Sequence, residues 1–429
     1  MESNIFRVIL VYHYTGASTV LPIYEFVRLL VAAYLFMTGF GHTVFFLSKD
    51  DYSLKRVASV LVRLNLLSIF FAYVMKTDYL FYYFAPLTSF WFGITYITMR
   101  IGRKRNHSVP LLLIKILVSA ILVNAAIKSP GVLEGLFRIL QKTCNISWNC
   151  HEFKFRLGLD AFIVYFGMSG GILYVKVTTA FKAANASNLD SFSRYILDHF
   201  RTIRAAAIAV AIVTPPVFYL LASRALNKYA YNAFVPYVSF LPILSFLILR
   251  NATRTLRTYH STAFAWLGKI SLETFTLQFH IWLAADTKGL LRTGVIEKWW
   301  GVQVEIAILT VIFLWMAKKT CDATQVVTDW IVNSKSGGRE LVVNGTLEKG
   351  GDHLPTMKNG IASKSAVSAH RAWRKHLMSV PKRMMEDLRV RLVLILMILW
   401  ALNMVSSNTT FCDVVIWLTM VQVYQNSSV

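Results

Sequence analysis

The sequence predicts an all-α, polytopic integral membrane bundle of ten transmembrane helices, with an eleventh near the C-terminus left open. Of its 429 residues, 55% are hydrophobic and 16% are charged, and the mean hydropathy is +0.50. A soluble globular chain has about a quarter of its residues charged. The apolar runs are continuous and lack the two-residue alternation of barrel strands. This composition excludes an ordinary cytosolic enzyme.

A second observation concerns charge. The chain carries 45 Lys and Arg against 22 Asp and Glu, a net charge of +23. Such an excess often indicates nucleic acid as a partner, but multi-span proteins also concentrate Lys and Arg in their short cytosolic loops. In a chain this hydrophobic we expect the lipid bilayer, and no nucleic acid, to be the partner.

The apolar runs define the expected spans in chain order. They are Ile23–Leu47, Val57–Met75, Tyr79–Met99, Val109–Ile127, Leu157–Ala180, Ala205–Ala222, Phe234–Leu249, Ala263–Ala284, Val304–Ala317 and Leu392–Val405, with Phe411–Tyr424 as the open eleventh. The corresponding organisation is a luminal N-terminus (1–22), a transmembrane domain (23–318), a cytosolic polar loop with a basic segment (319–391), and a C-terminal hairpin or single span (392–429). Arg371–Arg391 is expected either to lie on the membrane surface or to be a solvated basic loop.

The orientation follows from the loops. The first, third, fifth and seventh loops hold 14 Lys and Arg, whereas the second, sixth and eighth hold six. We therefore expect the odd-numbered loops in the cytosol and the N-terminus in the lumen. The fourth loop is then luminal, and it contains Cys144, Cys150 and a glycosylation sequon at Asn145. These features are typical of an oxidising, glycosylating compartment. A Cys144–Cys150 disulfide and two free thiols both remain open.

Ionisable residues within the spans are candidates for function, because a charge at membrane depth is costly. Glu25 and Arg28 are three residues apart and so lie on one helix face, within reach of each other. Arg63, Lys115 and Asp160 occupy the second, fourth and fifth predicted spans. The alternative for each is a charge that is paired or that reaches the membrane surface near a helix end.

The eighth span carries the clearest chemical pattern. Glu273, Thr276 and His280 are spaced i, i+3 and i+7, so a straight helix would place them on one face, and they could line one cavity. A neutral His can accept a proton from a hydroxyl near neutral pH, which makes His280 a candidate general base. A hydrogen-bonded packing role is the alternative.

Several motifs occur together and in one order along the chain. They are Tyr12-His13-Tyr14, Met37-Thr38-Gly39-Phe40-Gly41, Arg63-Leu64-Asn65, Phe81-Tyr82-Tyr83-Phe84-Ala85-Pro86-Leu87, Ser271-Leu272-Glu273-Thr274-Phe275 and Gln278-Phe279-His280-Ile281-Trp282-Leu283-Ala284-Ala285-Asp286. From about Tyr12 to Lys318 the chain resembles one family. This is the ten-transmembrane acyltransferase domain of the sialate O-acetyltransferases, the plant reduced-wall-acetylation proteins and the fungal capsule polysaccharide O-acetylation proteins.

The resemblance implies transfer of acetyl groups from cytosolic acetyl-coenzyme A to hydroxyls of glycans in the Golgi or a related secretory compartment, without a metal. By motif match His280 is the catalytic histidine, with Glu273 beside it. The implied substrate-binding residues are Arg28, Arg63, Asn65, Gln278 and Trp282. Arg103, Lys104 and Arg105 could hold the nucleotide phosphates on the cytosolic face, although such residues also fix topology.

Many members of that family carry a luminal GDSL/SGNH domain before the first span. About twenty residues precede the first span here, so we expect that domain to be absent. The chain would then be truncated, or would supply acetyl groups to a separate luminal transferase. His42 replaces an expected Asn, so no role is assigned to it. The competing hypothesis is a transporter of acetyl-coenzyme A or another acetyl donor, with no chemistry at His280.

Overall fold

The computed structural model describes residues 12–13, 16–74, 79–144, 149–182, 191–283 and 301–332, and scattered residues between 390 and 401. The predicted spans Leu392–Val405 and Phe411–Tyr424 and the predicted loop at 333–389 lie essentially outside the described residues. The helices are α1 (Leu21–Lys49), α2 (Leu54–Val74), α3 (Phe84–Arg100), α4 (Val109–Lys128), α5 (Val132–Cys144), α6 (Cys150–Leu159), α7 (Ile163–Lys182), α8 (Ser191–Asp198), α9 (Phe200–Ala222), α10 (Lys228–Val238), α11 (Phe240–Arg250), α12 (Arg254–Thr258), α13 (Thr262–Lys269), α14 (Ser271–Leu277) and α15 (Gly301–Val332).

Four helices of the described part are long and apolar enough to cross a membrane by themselves: α1, α4, α7 and α9. Helices α10 and α11 are long and apolar enough only when taken together, and their bend of 57° makes them either a broken span or a re-entrant loop. The predicted continuous span Phe234–Leu249 is therefore wrong in shape. Pro236 lies inside α10 and Pro242 near the start of α11, and each lacks the N–H that a continuous helix would need.

Two other predicted spans are also interrupted. The span Leu157–Ala180 is divided, because α6 ends at Leu159 and α7 begins at Ile163, with Asp160 at the end of α6. The span Ala263–Ala284 is divided into α13, α14 and a π-helical turn over Gln278–Trp282. Conversely, α15 runs well beyond the predicted span Val304–Ala317. Hydropathy registers apolar length and does not detect these breaks.

Helices α1 and α7 pack together at glycines. A Cβ added at Gly39 would come within 2.3 Å of the carbonyl oxygen of Val164, and one at Gly167 within 2.2 Å of that of Phe36. Small residues at such crossings let two backbones approach closely, as is common in membrane helix pairs. This crossing holds α1 in the centre of the bundle, where it also packs against α3.

The interior is aromatic, and the outer helices expose apolar side chains. Trp91, Tyr82, Phe84 and Phe275 are fully buried in the main core. By contrast, α9 exposes a long apolar face that includes Val210, Ile212, Val213, Val217 and Tyr219. An apolar surface of this extent is expected to face lipid.

Candidate functional site

His280 lies in the π-helical turn that follows α14. The backbone N–H of Leu283 donates to the carbonyl of Gln278 at 2.7 Å and closes this wide turn. Single π turns inside helices occur frequently at functional sites. The turn changes the direction of His280 relative to the face predicted for a straight helix.

The imidazole of His280 is half-buried among aromatic rings and meets one buried hydroxyl. The phenolic oxygen of Tyr82, which is fully buried, lies 2.5 Å from Nε2 of His280. The rings of Phe71 and Phe81 lie 4.9 Å and 6.3 Å from the imidazole, centre to centre. If Nε2–H donates to the Tyr82 oxygen, Nδ1 keeps a lone pair that can accept a proton from a substrate.

Glu273 does not share this environment. Its fully buried carboxylate forms an ion pair with Arg63 and accepts a hydrogen bond from the Thr324 hydroxyl at 3.0 Å. Nη2 of Arg63 also donates to the Cys321 sulfur at 3.3 Å. Glu273, Thr276 and His280 have different hydrogen-bond partners, since the Thr276 hydroxyl donates to the carbonyl of Leu272 and His280 contacts Tyr82. That the three residues line one cavity stays a prediction.

Glu273 and His280 nevertheless both face α2. Glu273 meets Arg63, and His280 meets Phe71 of the same helix. Eight residues of α-helix separate Arg63 from Phe71, which corresponds to about 12 Å along the axis. The ion pair and the histidine therefore lie at two levels of the bundle.

A cavity of about 470 Å³ opens at the level of the ion pair. Its polar lining comes from α2, α13 and α15, and includes Arg63, Lys269, Lys318, Cys321, Asp322 and Asp329. Lys318 pairs with Asp322 one turn away. In the predicted topology this cavity lies in the cytosolic half of the bundle, whereas His280 lies toward the lumen.

Three predicted substrate-binding residues form hydrogen bonds between different segments of the chain. The amide nitrogen of Asn65 donates to Ser89 of α3 at 2.7 Å. The Gln278 amide lies 3.3 Å from Nδ1 of His13 and is fully buried. Nε1 of Trp282 donates to the Thr310 hydroxyl of α15 at 3.1 Å, and so anchors the π turn.

Arg28 pairs with a carboxylate outside its own helix, although the spacing places Glu25 within its reach. Its guanidinium donates to Asp160 at 2.8 Å, and Asp160 is buried at the break between α6 and α7. Arg28 thus links α1 to that break, and the structure shows no ion pair between Arg28 and Glu25. Arg28 and Arg63 belong to separate ion pairs, and the structure does not bring them into one site.

The basic triplet Arg103-Lys104-Arg105 forms an exposed 3₁₀ turn between α3 and α4. Arg103 pairs with Asp50 at 3.3 Å and lies over the ring of Tyr52. Lys115, predicted as an intramembrane charge, reaches this turn and donates to the carbonyl of Ile101 at 2.9 Å. A role for the triplet in binding nucleotide phosphates stays a prediction.

The luminal features predicted at the fourth loop are only partly described. Cys150 begins α6 and forms no disulfide within the part of the chain that the structure describes, whereas Asn145 and the side chain of Cys144 lie outside that part. The disulfide and the glycosylation of Asn145 stay predictions. In the described part, no group of three or more His, Cys, Asp or Glu is arranged to hold a metal ion.

Sequence reasoning missed the partner of His280. Tyr82 lies in a motif that carried the family resemblance, but nothing in its spacing ties it to a residue nearly two hundred positions away. It also missed Lys269 and Lys318, which line the cavity with Arg63. Lys318 directly follows the predicted span Val304–Ala317, where a lysine is ordinarily a topology determinant, and Lys269 lies six residues inside the start of the predicted span Ala263–Ala284.

Comparison with known proteins gives two findings. Residues 4–341 match the sequence model of a protein family described as the 10 TM Acyl Transferase domain found in Cas1p. The N-acetylneuraminate (7)9-O-acetyltransferase of Danio rerio is 40% identical over 294 residues, which are 66% of this chain and 36% of that protein. The chain thus spans about a third of the length of this relative. No solved structure matches the chain significantly.

These findings confirm the resemblance inferred from the motifs. They also agree with the helical bundle, whose outer helices expose apolar faces. The chain belongs to the family of ten-transmembrane acyl transferase domains.

Proposed function

We propose that this chain is a membrane O-acetyltransferase, in which His280 acts on an acetyl group that comes from cytosolic acetyl-coenzyme A. The observation that carries the proposal is the placement of His280 in a π turn against the buried hydroxyl of Tyr82. Family membership supports acyl transfer. The name of the relative supports an O-acetyl product and a glycan acceptor.

The donor would enter through the cavity at Arg63. Lys318 is paired with Asp322, whereas Lys269 brings to that cavity a positive charge that none of the ion pairs among the described residues neutralises, which suits a donor whose nucleotide carries phosphates. The slender pantetheine arm would then extend along α2 from Arg63 toward Phe71 and His280. Arg103, Lys104 and Arg105 remain candidates for a second phosphate contact at the same end of the bundle.

The transfer step requires one proton acceptor and one leaving group. The acceptor hydroxyl gives its proton to His280 as its oxygen bonds to the acetyl carbon, and the carbon–sulfur bond of the thioester breaks. The imidazolium then returns the proton to the departing thiolate. In the second route, the free nitrogen of His280 attacks the thioester, so that its carbon–sulfur bond breaks and coenzyme A leaves as the thiolate. The acceptor oxygen then bonds to the acetyl carbon as the carbon–nitrogen bond breaks, and the hydroxyl proton goes to the thiolate. Both routes need a neutral imidazole with one free nitrogen.

The acceptor side would be luminal. We propose glycan hydroxyls in the Golgi or a related secretory compartment as acceptors, reached directly or through a separate luminal GDSL/SGNH-type transferase. In both cases the chain carries acetyl groups from one face of the bilayer to the other.

The test uses the purified full chain in detergent with acetyl-labelled acetyl-coenzyme A. Release of coenzyme A and label retained on the protein are measured for the wild type, His280→Ala and the control His260→Ala, whose side chain is exposed. We expect release or labelling in the wild type and the control, and its loss in His280→Ala with donor binding intact. Release that persists in His280→Ala would overturn the assignment. Binding with no release even when a soluble luminal transferase is added would favour transport of the donor.

A further inference from the structure

A second cavity, of about 540 Å³, lies between α9 and the segment formed by α11 and α12. It shares no lining residue with the cavity at Arg63. One wall is apolar, and its side chains include Phe200, Ile203, Ile208 and Ile248. The other part carries three arginines, Arg204, Arg254 and Arg257. The cavity is therefore amphipathic, with a cationic rim beside an apolar wall.

The three arginines have no acidic counterpart nearby in the chain. No Asp or Glu occurs anywhere between His199 and Leu272, and none of the ion pairs among the described residues involves these arginines. Arg204 donates to the carbonyl of Ala252 and so holds α9 against the turn after α11. Arg254 and Arg257 are exposed and three residues apart, hence on one face of α12.

The position of the cavity relative to the bilayer limits the class of ligand that can bind there. The arginines occur where the exposed apolar face of α9 begins and where α11 ends. This is the level at which lipid headgroups meet the hydrocarbon. Basic pockets between membrane helices on the cytosolic side bind anionic lipid headgroups.

Lysines and arginines that only set topology need not converge on a cavity. Here three arginines from two separate helices share one cavity with an apolar wall. The arginines and the apolar wall together match a phospholipid. Its phosphate would lie among the guanidinium groups, and an acyl chain would pack against the isoleucines. A soluble phosphate ligand would leave the apolar wall unused.

We propose that this cavity binds an anionic phospholipid of the leaflet that adjoins the Arg254–Thr258 helix. Its phosphate lies among Arg204, Arg254 and Arg257, and one acyl chain lies against Ile203, Ile208 and Ile248. The proposal does not depend on the acetyltransferase assignment.

The test measures binding of phosphatidylserine and phosphatidylcholine to the full chain in detergent by native mass spectrometry. The variant Arg254→Gln/Arg257→Gln is compared with Arg194→Gln/Arg201→Gln, which removes the same charge from exposed residues of the same end that do not line the cavity. Each basic residue near an anionic surface contributes about fivefold in affinity, so the first variant should bind phosphatidylserine about 30-fold more weakly. The second should change binding by less than about twofold.

A second variant keeps all three arginines. Ala207→Phe adds a ring to the apolar wall and should weaken phosphatidylserine binding by filling the space of the acyl chain. Equal weakening in both arginine variants would show unspecific attraction and overturn the proposal. Equal binding of phosphatidylcholine, no effect of Ala207→Phe, or displacement of the lipid by coenzyme A or inorganic phosphate would overturn it as well.

Discussion

The hydroxyl of Tyr82 lies 2.5 Å from Nε2 of His280, so the candidate catalytic imidazole has its second nitrogen fixed by a fully buried phenol. Tyr82 ends a 3₁₀ turn at the start of α3, whereas His280 belongs to the π turn after α14. The contact joins two distant parts of the chain at the residue that we propose to carry out acyl transfer. Tyr82 is a positioning residue for His280 in this arrangement.

The first prediction concerns this hydroxyl. Tyr82→Phe keeps the ring and removes the partner of Nε2, so the turnover number for acetyl transfer should fall about 10- to 100-fold, as a lost buried hydrogen bond costs about 1–3 kcal/mol. The KM for the donor should stay unchanged, since the donor cavity lies at the level of Arg63. Steady-state release of coenzyme A checks both values.

Tyr83→Phe is the matched control, because it is the same change one residue away and keeps the ring that lies under Arg156. It should retain turnover within about twofold. Equal losses in the two variants would mean that the Tyr82 hydroxyl has no specific role in the reaction.

Composition and apolar length were sufficient to predict the helical bundle. The expected first and fourth spans coincide with α1 and α4 to within two residues at each end. The breaks were not predictable, because hydropathy averages over a window and a buried break stays apolar. Pro236 and Pro242 explain the bend at Ser239 between α10 and α11. Their presence in the sequence did not predict the bend, because prolines in an apolar run also occur in unbroken membrane helices.

Spacing predicted candidate residues but did not predict their partners. Arg28 and Asp160 were both singled out as charges within spans, yet their pairing depends on the crossing of α1 and α7, which joins residues 132 positions apart. Glu25 was the nearer carboxylate in sequence. In the same way Arg63 and Glu273 were named separately and meet only through the packing of α2 against α14.

The second prediction concerns the crossing of α1 and α7. Gly39→Ala places a methyl group within 2.3 Å of the carbonyl oxygen of Val164, so the two backbones must separate. Overpacking of this kind costs about 1–3 kcal/mol. Thermal unfolding in detergent should therefore show a clear loss of stability.

Gly41→Ala is the matched control on the same helix, since an added Cβ there has no neighbouring atom within 4 Å. It should leave the unfolding temperature unchanged or raise it, because Ala favours a helix more than Gly does. A loss of stability equal to that of Gly39→Ala would contradict a close helix crossing.

The third prediction separates a structural from a substrate-binding role for Arg63. Glu273→Gln leaves the Arg63 guanidinium without its carboxylate, and because Arg63 is only partly buried the loss of this partner should cost about 1–3 kcal/mol. The double variant Arg63→Gln/Glu273→Gln should recover part of that loss. Chemical unfolding of the two single variants and the double variant measures the coupling.

If Arg63 serves only the donor, the losses of the two substitutions will add and only the KM for acetyl-coenzyme A will change. A positive coupling energy together with a raised KM would assign both roles to it. The Arg63→Lys variant retains charge and loses the planar fork, and so distinguishes charge from geometry.

The fourth prediction compares the two carboxylates that could form an ion pair with Arg28. Asp160→Asn removes the carboxylate that Arg28 contacts at 2.8 Å, and should destabilise the fold by about 3–5 kcal/mol. Glu25→Gln should change stability by less than about 0.5 kcal/mol, as expected for a substitution away from a buried network. Unfolding of both variants under one condition gives the comparison, and similar losses would reinstate Glu25 as a partner of Arg28.

The fifth prediction concerns pH and the segment before α1. Burial lowers the pKa of His13, the hydrogen bond to Gln278 opposes this effect, and the nearby charge of Arg156 adds to it. Above the ordinary histidine pKa of about 6.5 His13 is neutral in both folded and unfolded states. As the pH falls below that value the unfolded segment takes up the proton first, so the docked segment loses stability.

After correction for the intrinsic exchange rate, which itself falls as the pH falls, hydrogen exchange of Tyr12 and His13 should therefore be faster at pH 5.5 than at pH 7.5. His13→Gln keeps a hydrogen-bonding group for Gln278 and removes the titration, so its corrected exchange should stay constant over the same range. The contact with Phe279, at 5.8 Å between ring centres, connects this segment to the π turn that bears His280. A corrected exchange rate that is independent of pH in the wild type would show that His13 is not buried against Gln278.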